Sequence, residues 1–583
     1  MFHSFTIGYK DINKEDKTMK QRYIALAAAL MMTAGSLASC GSADTSSSPY
    51  NGANGGDNNI SYVTPHTDQS SIAGDTSKDK PENSGLKYDG NAEMSEEAEN
   101  QIGADTPLGE EYAHFEENGF KLVKDEPLST FSTDVDTASY ANARRMLNEG
   151  SPVWNDAVRT EEFINYFSYD YAAPAGSDPI AITTELSDRP NAETKLLLVG
   201  VRAKEIEQTQ RPPMNVVLLI DVSGSMSSED KLPLAQKAFL MLAESLDEND
   251  RLSIVTYSGE EKIVLEGAKG SDYQTIEKAV MSLTAGGATA GEAGINMAYS
   301  LAEKYFIKGG NNRIVMATDG DLNVGVSSAE ELTELIEKKR EGGVFLSVLG
   351  FGTGNFKDSR LEALADNGNG NYSYIDSERE AKKVLVSELQ GTLYTVAKDV
   401  KAQIEFNPAA VAAYRLVGYE NRLLNDEDFT DDTKDAGDMG AGHTVTVLYE
   451  IVPAKGVLGS DGKAGIELKY QTDEQMPQGE YSDELATVKL RYKQPDGDQS
   501  KEISGVVKTE QYTEELPKNL AFAYCAASFA DFLKKGSSSA TQPKDILTII
   551  EDNGLDTDEY RKEFAELVAK AYTVYRNAYD DIQ

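Results

Sequence analysis

The chain has 583 residues, too many for one hydrophobic core, and roughly three or four domains is the expectation from length. Its 97 acidic residues outnumber 56 basic ones to give a net charge of −41, which argues against nucleic acid as a partner and against electrostatic docking onto anionic lipid. Only Cys40 and Cys525 are present, so no disulfide framework exists, and His3, His66, His114 and His443 are too scattered for a zinc site.

Lys20 and Arg22 precede an apolar run over residues 23–37 that ends in Ala38-Ser39-Cys40. A short basic region, an apolar core too short to span a bilayer and small residues before the break predict a secretory signal over residues 1–40, with Met19 as the true start. Leu37-Ala38-Ser39-Cys40-Gly41 resembles the bacterial lipoprotein box. That resemblance implies acylation of Cys40, which becomes the mature N-terminus and anchors the chain in a membrane. Gly41, where an aspartate would retain the lipoprotein at the inner membrane of some bacteria, favours the outer membrane. Residues 41–105 are rich in Ser, Gly, Asn, Asp and Thr and nearly lack large apolar side chains, so they read as a disordered tether.

Residues 106–175 form an α/β region, with a strand over 128–136 and helices over 137–148 and 159–167. Asp134, Asp136 and Ser139 imitate a metal-binding set, although Thr137 or Ser139 as a helix cap is the simpler reading. Within 176–212, alternating segments at 180–186 and 195–201 read as strands that pair with a β-rich domain over 396–510. That domain shows strands at 401–406, 414–419, 445–451, 466–470, 486–492 and 501–507. The closing segment, 511–583, is helical over 520–533, 543–553 and 556–579. Between the two β-rich parts, residues 213–395 alternate strand and helix patterns. Strands fall at 216–220, 252–257, 263–265, 314–318, 345–349 and 372–375; helices fall at 233–246, 273–283, 291–308, 329–339, 359–366 and 378–393. This order predicts an α/β fold with an open, mainly parallel sheet, inserted into the surrounding β-sandwich.

The first of these strands runs into Asp221-Val-Ser223-Gly-Ser225. A carboxylate and two hydroxyls at alternate positions leave the carboxyl end of a buried strand together. Oxygen-only donors suit Mg²⁺, Mn²⁺ or Ca²⁺ better than Zn²⁺. Thr289 lies in Ala285-Gly-Gly-Ala-Thr-Ala-Gly291, and Asp319 ends Arg313-Ile-Val-Met-Ala-Thr-Asp-Gly320. The set resembles the von Willebrand factor A (vWA) domain, a Rossmann-like fold, and its metal-ion-dependent adhesion site. The resemblance implies that Ser223, Ser225 and Thr289 coordinate a divalent ion, most readily Mg²⁺, while Asp221 and Asp319 hold it largely through water. It also implies a protein partner that supplies an acidic side chain to the ion. The segments at 127–140, 158–167, 411–422 and 435–446 look like the flanking parts of a bacterial family of A-domain lipoproteins with a C-terminal domain of unknown function.

Several other patterns carry less. Asp319-x-Asp321-x-Asn323 with Glu330 imitates a calcium loop but has Val324 in the glycine position. Gly350-Phe-Gly352-Thr-Gly354 lacks the last glycine of a dinucleotide fingerprint. Ser228-x-x-Lys231 has no accompanying catalytic motifs and lies in a polar loop, and the acidic run at 425–432 offers oxygens for Ca²⁺, although a solvated loop is the simpler reading. The expectation is therefore a non-enzymatic, lipid-anchored envelope protein that binds another protein through a metal. A structural scaffold stapled by the metal is the alternative. A metallohydrolase is the weaker one, since no histidine stands near the motif to act as a base.

Overall fold

The computed structural model describes residues 109–206, 211–287, 292–320, 329–354, 357–388, 394–434, 436–460, 481, 483–495, 497 and 499–580. The signal, Cys40, the tether, Thr289, the calcium-like loop at 321–328 and the strand expected at 466–470 lie outside them. The leading module comprises β1 (Lys121–Leu122), β2 (Leu128–Ser132), α1 (Ala138–Asn148) and α2 (Thr160–Asn165). It is followed by β3 (Ile180–Asp188) and β4 (Lys195–Ala203).

The central domain carries β5 (Met214–Asp221), α3 (Leu232–Glu244), β6 (Arg251–Ser258), β7 (Glu260–Lys269), α4 (Tyr273–Met281) and α5 (Glu292–Lys304). It continues through β8 (Asn311–Thr318), α6 (Ala329–Glu341), β9 (Phe345–Phe351), α7 (Asp358–Asn367), β10 (Tyr372–Ile375) and α8 (Glu378–Lys382). Its strands lie in the order β10-β9-β8-β5-β6-β7, all parallel except the edge strand β7. Every residue of β5 is buried because helices cover both faces. Val217 and Leu219 pack towards Ile295, Tyr299 and Leu361 of α5 and α7. Val216, Leu218 and Ile220 pack towards Phe239 of α3 and Ile276 of α4. The expected helix over 378–393 begins as α8 and then widens into a π-helical turn, Lys383–Ser387.

The chain then supplies β11 (Thr395–Phe406), β12 (Val411–Val417), β13 (Gly437–Gly440), β14 (Thr444–Pro453), β15 (Glu484–Lys493), β16 (Ser500–Lys508) and β17 (Tyr512–Thr513). One sheet runs β1-β12-β14-β4-β3-β17; the other runs β13-β11-β15-β16, with β2 paired to β11. The two share one core, in which Val199, Val447 and Tyr449 meet Phe131, Ile404 and Val488. The α/β domain is thus inserted into a sandwich, and its two ends meet on one turn. Gly442 N–H donates to the Lys204 carbonyl at 3.1 Å, and Ala441 N–H donates to the Tyr394 carbonyl at 2.8 Å.

Three closing helices, α9 (Lys518–Lys535), α10 (Pro543–Asn553) and α11 (Glu559–Asp580), pack back onto the leading module. Phe167 meets Phe522 at 4.8 Å and Phe564 at 5.4 Å between ring centres. Cys525 is fully buried on α9, and burial pushes its thiol well above the usual range, so it serves as an inert apolar side chain.

Buried arginines knit these parts together. Arg144 on α1 pairs with Asp376 at 2.6 Å, Glu380 at 2.7 Å and Glu563 at 3.2 Å. Arg422 pairs with Asp136 at 3.0 Å, Glu362 at 3.1 Å and Asp366 at 2.8 Å. The Asp134–Asp136 pattern is therefore absorbed by Arg422, which also reaches Asp134 at 3.4 Å. The capping expectation fails as well. Thr137 makes no side-chain cap, and the Ser139 N–H is taken by Glu162 at 2.8 Å, while the Ser139 hydroxyl donates to the Ala157 carbonyl at 2.6 Å.

Burial pushes the Glu162 carboxyl up to about 7 against the opposing pull of Arg159. Asp136 and Asp358, also desolvated, are raised too. A carboxyl raised in the folded state binds its proton there before it does in the unfolded chain. The stabilisation it contributes is therefore full below about 4.5 and lost as pH climbs to about 7. The melting temperature should fall as pH is raised through this window and level off above it, and Glu162→Gln should flatten part of that slope in a thermal-melt series.

Candidate metal centre

The chain runs from β5 outward to β6 and β7, then crosses back to β8 on the other side of β5. The sheet order therefore reverses between β5 and β8, the place where open parallel sheets leave a crevice beyond their carboxyl ends. Asp221 closes β5, and Asp319 follows the last residue of β8, whose Ala317 lies opposite Ile220. Both carboxylates are buried, at 0% and 2% exposure. They sit in the crevice because it is the first point at which the chain leaves a sheet that is apolar on both faces.

Asp221 Oδ1 accepts the Ser223 N–H at 2.8 Å, folding the chain back on itself. A 3₁₀ turn, Gly224–Ser227, follows. The Ser223 and Ser225 hydroxyl oxygens stand 2.9 Å apart, Ser223 buried and Ser225 exposed. Tyr257, level with Asp221 on β6, is fully buried beneath them. Burial, and then the negative charge of Asp221, hold its hydroxyl well above the usual tyrosine range, so it stays a neutral wall of the crevice.

The loop leading to Thr289 is fastened to this motif. Gly286 N–H donates to the Val222 carbonyl at 2.7 Å, and Gly224 N–H donates to the Gly287 carbonyl at 3.1 Å. The Ser258 hydroxyl donates to the Gly286 carbonyl. Gly287 has φ +89°, and a Cβ there would come within 2.5 Å of the Ser258 hydroxyl, so no other residue fits without displacement. The chain is thus delivered to the motif two residues ahead of Thr289, which itself lies outside the described residues.

This donor set fits a hard divalent cation. All its atoms are oxygens, two of the groups are buried carboxylates, and neighbouring ligands of an octahedral Mg²⁺ at 2.0–2.1 Å stand about 2.8–3.0 Å apart. The serine pair has that separation, held here by a hydrogen bond between the two hydroxyls. Among the described residues no group of three His, Cys, Asp or Glu gathers as a metal site, and this crevice brings together two carboxylates and two hydroxyls.

Sequence reasoning missed Lys231. It reads there as part of a polar loop, but its ammonium donates to Asp319 Oδ2 at 2.9 Å and the residue is only 9% exposed. Gly352, one of the false nucleotide glycines, is where it is because the Lys231 stem crosses it. Its φ is +71°, and a Cβ would lie 2.3 Å from the lysine Cε. The acidic run at 425–432 is structural too: Asp428 caps Asn425, and Lys401 donates to the Asp428 carbonyl at 3.1 Å.

Three family descriptions match successive parts of the chain: von Willebrand factor over residues 106–199, von Willebrand factor type A domain over 215–388, and the C-terminal region of the uncharacterized protein YfbK over 391–574. YfbK of Escherichia coli K12 is 46% identical over 398 residues, spanning 67% of this chain and 68% of its own. The chain belongs to the YfbK family of von Willebrand factor type A proteins. Inter-alpha-trypsin inhibitor heavy chain H3 of Homo sapiens is 31% identical over 202 residues, covering 33% of this chain and 22% of that protein. A von Willebrand factor type A structure from Catenulispora acidiphila aligns over 67% of this chain and 89% of its own at 15% identity, with a TM-score of 0.39. Domains of the A type typically hold a divalent metal.

Truncation separates the roles of two motif residues. Asp221→Ala removes the acceptor of a buried N–H and should cost about 1–3 kcal/mol in urea unfolding. Ser225→Ala, at an exposed position, should stay within about 0.5 kcal/mol of the parent in the same measurement.

Proposed function

We propose that this protein is a cell-envelope lipoprotein, held by an acyl chain on Cys40, that grips a protein partner at the crevice of its A domain. Asp221, Ser223, Ser225, Thr289 and Asp319 would hold a divalent ion there, Mg²⁺ in preference to Mn²⁺ or Ca²⁺. The observation that carries the reading is the convergence of two adjoining serine hydroxyls and two buried carboxylates at the ends of neighbouring parallel strands.

When bound, the ion supplies an incompletely neutralised charge that an acidic side chain of the partner can complete. The residues of the chain do the rest. Neutral hydroxyls at Ser223 and Ser225 lower the ion's charge less than carboxylates would. Asp221 and Asp319 sit one layer deeper, Asp221 accepting the Ser223 N–H and Asp319 accepting from Lys231. Asp319 is already paired with the Lys231 ammonium, which suits it poorly to act as a general base and favours gripping over hydrolysis. Exposure of Ser225 leaves one side of the crevice open to a partner.

Calorimetric titration of the full chain with Mg²⁺, Mn²⁺ and Ca²⁺ tests the metal, with Ser225→Ala expected to weaken Mg²⁺ binding while the protein stays folded. Pull-down from envelope extracts tests the grip: capture of one partner that is lost on adding chelator and with Ser225→Ala is expected, and chelator-insensitive capture would refute it. For the anchor, Cys40→Ser should abolish incorporation of labelled fatty acid and release the chain from the membrane fraction.

A further inference from the structure

Lys231 stands where the local rules of helix formation disfavour it. It is the residue that opens α3, a position that prefers a small oxygen-bearing side chain, and it makes no cap there. A cation at a helix N-terminus also faces the positive end of the peptide dipoles. Its backbone, at φ −117° and ψ −112°, lies outside the common regions. Local rules broken together at one buried residue point to a role beyond folding the helix.

The compensation is at the other end of the side chain. The ammonium meets Asp319 Oδ2 at 2.9 Å, and the stem lies in a groove that exists because Gly352 has no Cβ. The Lys231 backbone is pinned from both sides, its N–H on the Ser228 carbonyl at 3.0 Å and its carbonyl accepting Ala235 N–H at 2.8 Å. The side chain, which has four rotatable bonds, is therefore the part that can move. Two buried carboxylates at one crevice, Asp221 and Asp319, would repel each other and suffer desolvation if no cation were near.

We propose that Lys231 is a built-in cation that neutralises the crevice in the metal-free protein and is displaced from Asp319 when a divalent ion enters. Lys231 thereby sets how tightly the metal is held and keeps the empty A domain folded. The inference rests on the metal reading above and adds an exchange between two cations for one carboxylate. It concerns only residues of this chain, and its consequences appear without any partner.

Two measurements on the full chain test it. Lys231→Met keeps the stem and deletes the charge. By removing a competing cation at contact distance, it should bind Mg²⁺ about tenfold or more tightly than the parent in calorimetry. It should also melt lower than the parent in chelator, with the gap closing at saturating Mg²⁺. Should that variant fail to fold without metal, amine-reactive footprinting of the unaltered protein with mass-spectrometric readout carries the test. Lys231 should be protected in chelator and acylated several-fold faster in saturating Mg²⁺. Equal or weaker Mg²⁺ binding by Lys231→Met, or unchanged protection of Lys231 on adding metal, overturns the exchange while leaving the metal site standing. Absence of Mg²⁺ binding by both proteins overturns the metal reading and the exchange with it.

Discussion

A sheet covered by helices on both faces has little room for charged side chains along its central strands, and carboxylates there are pushed to the strand ends. β5 obeys this from Val216 to Ile220 and breaks it at Asp221, with Asn215 at its other end. Because the chain crosses from one side of β5 to the other, its neighbour β8 breaks it at nearly the same height, at Asp319. The crevice is the consequence: two carboxylates, two hydroxyls and a lysine meet where burial gives way to solvent. Tyr257 and Gly287 shape its floor and side without adding charge at neutral pH.

The surrounding parts rest on a different constraint. Leading module, sandwich and closing helices come from segments far apart in the chain, and buried arginines hold them in register. Arg144 bridges α1, the loop before α8 and α11; Arg422 bridges the leading module and α7. Such pairs add little net stability over apolar packing, but they are costly to break by halves. They therefore work less as glue than as keys that admit one arrangement of the parts.

Periodicity made the central domain legible. Runs of branched apolar residues ending in Asp221 and Asp319 mark parallel strands and their carboxyl ends, and the family motif follows in order. The sandwich was legible as strands flanking an insertion, yet β13, Gly437–Gly440, was not, since a short glycine-rich segment has no apolar pattern to read. Arg144, Arg159 and Arg422 were invisible for a related reason: a charged residue in a sequence reads as surface, and only the fold shows which carboxylates surround it. Lys231 needed three facts that no window of sequence holds together, a helix start, a glycine more than a hundred residues away and the end of β8.

The insertion also sets an order of assembly. β4 (Lys195–Ala203) takes β14 (Thr444–Pro453) as its partner along nearly its full length, with the whole central domain between them. Making that pair means closing a loop as long as the whole inserted domain, and the entropy of closure grows with the length closed. Contacts inside the central domain close over far shorter loops, and nearby contacts form sooner than distant ones. The inserted domain is thus complete while the sheet that frames it still has an open edge, and closing that edge on the turn at residues 441–443 is the late event that turns a string of parts into one body.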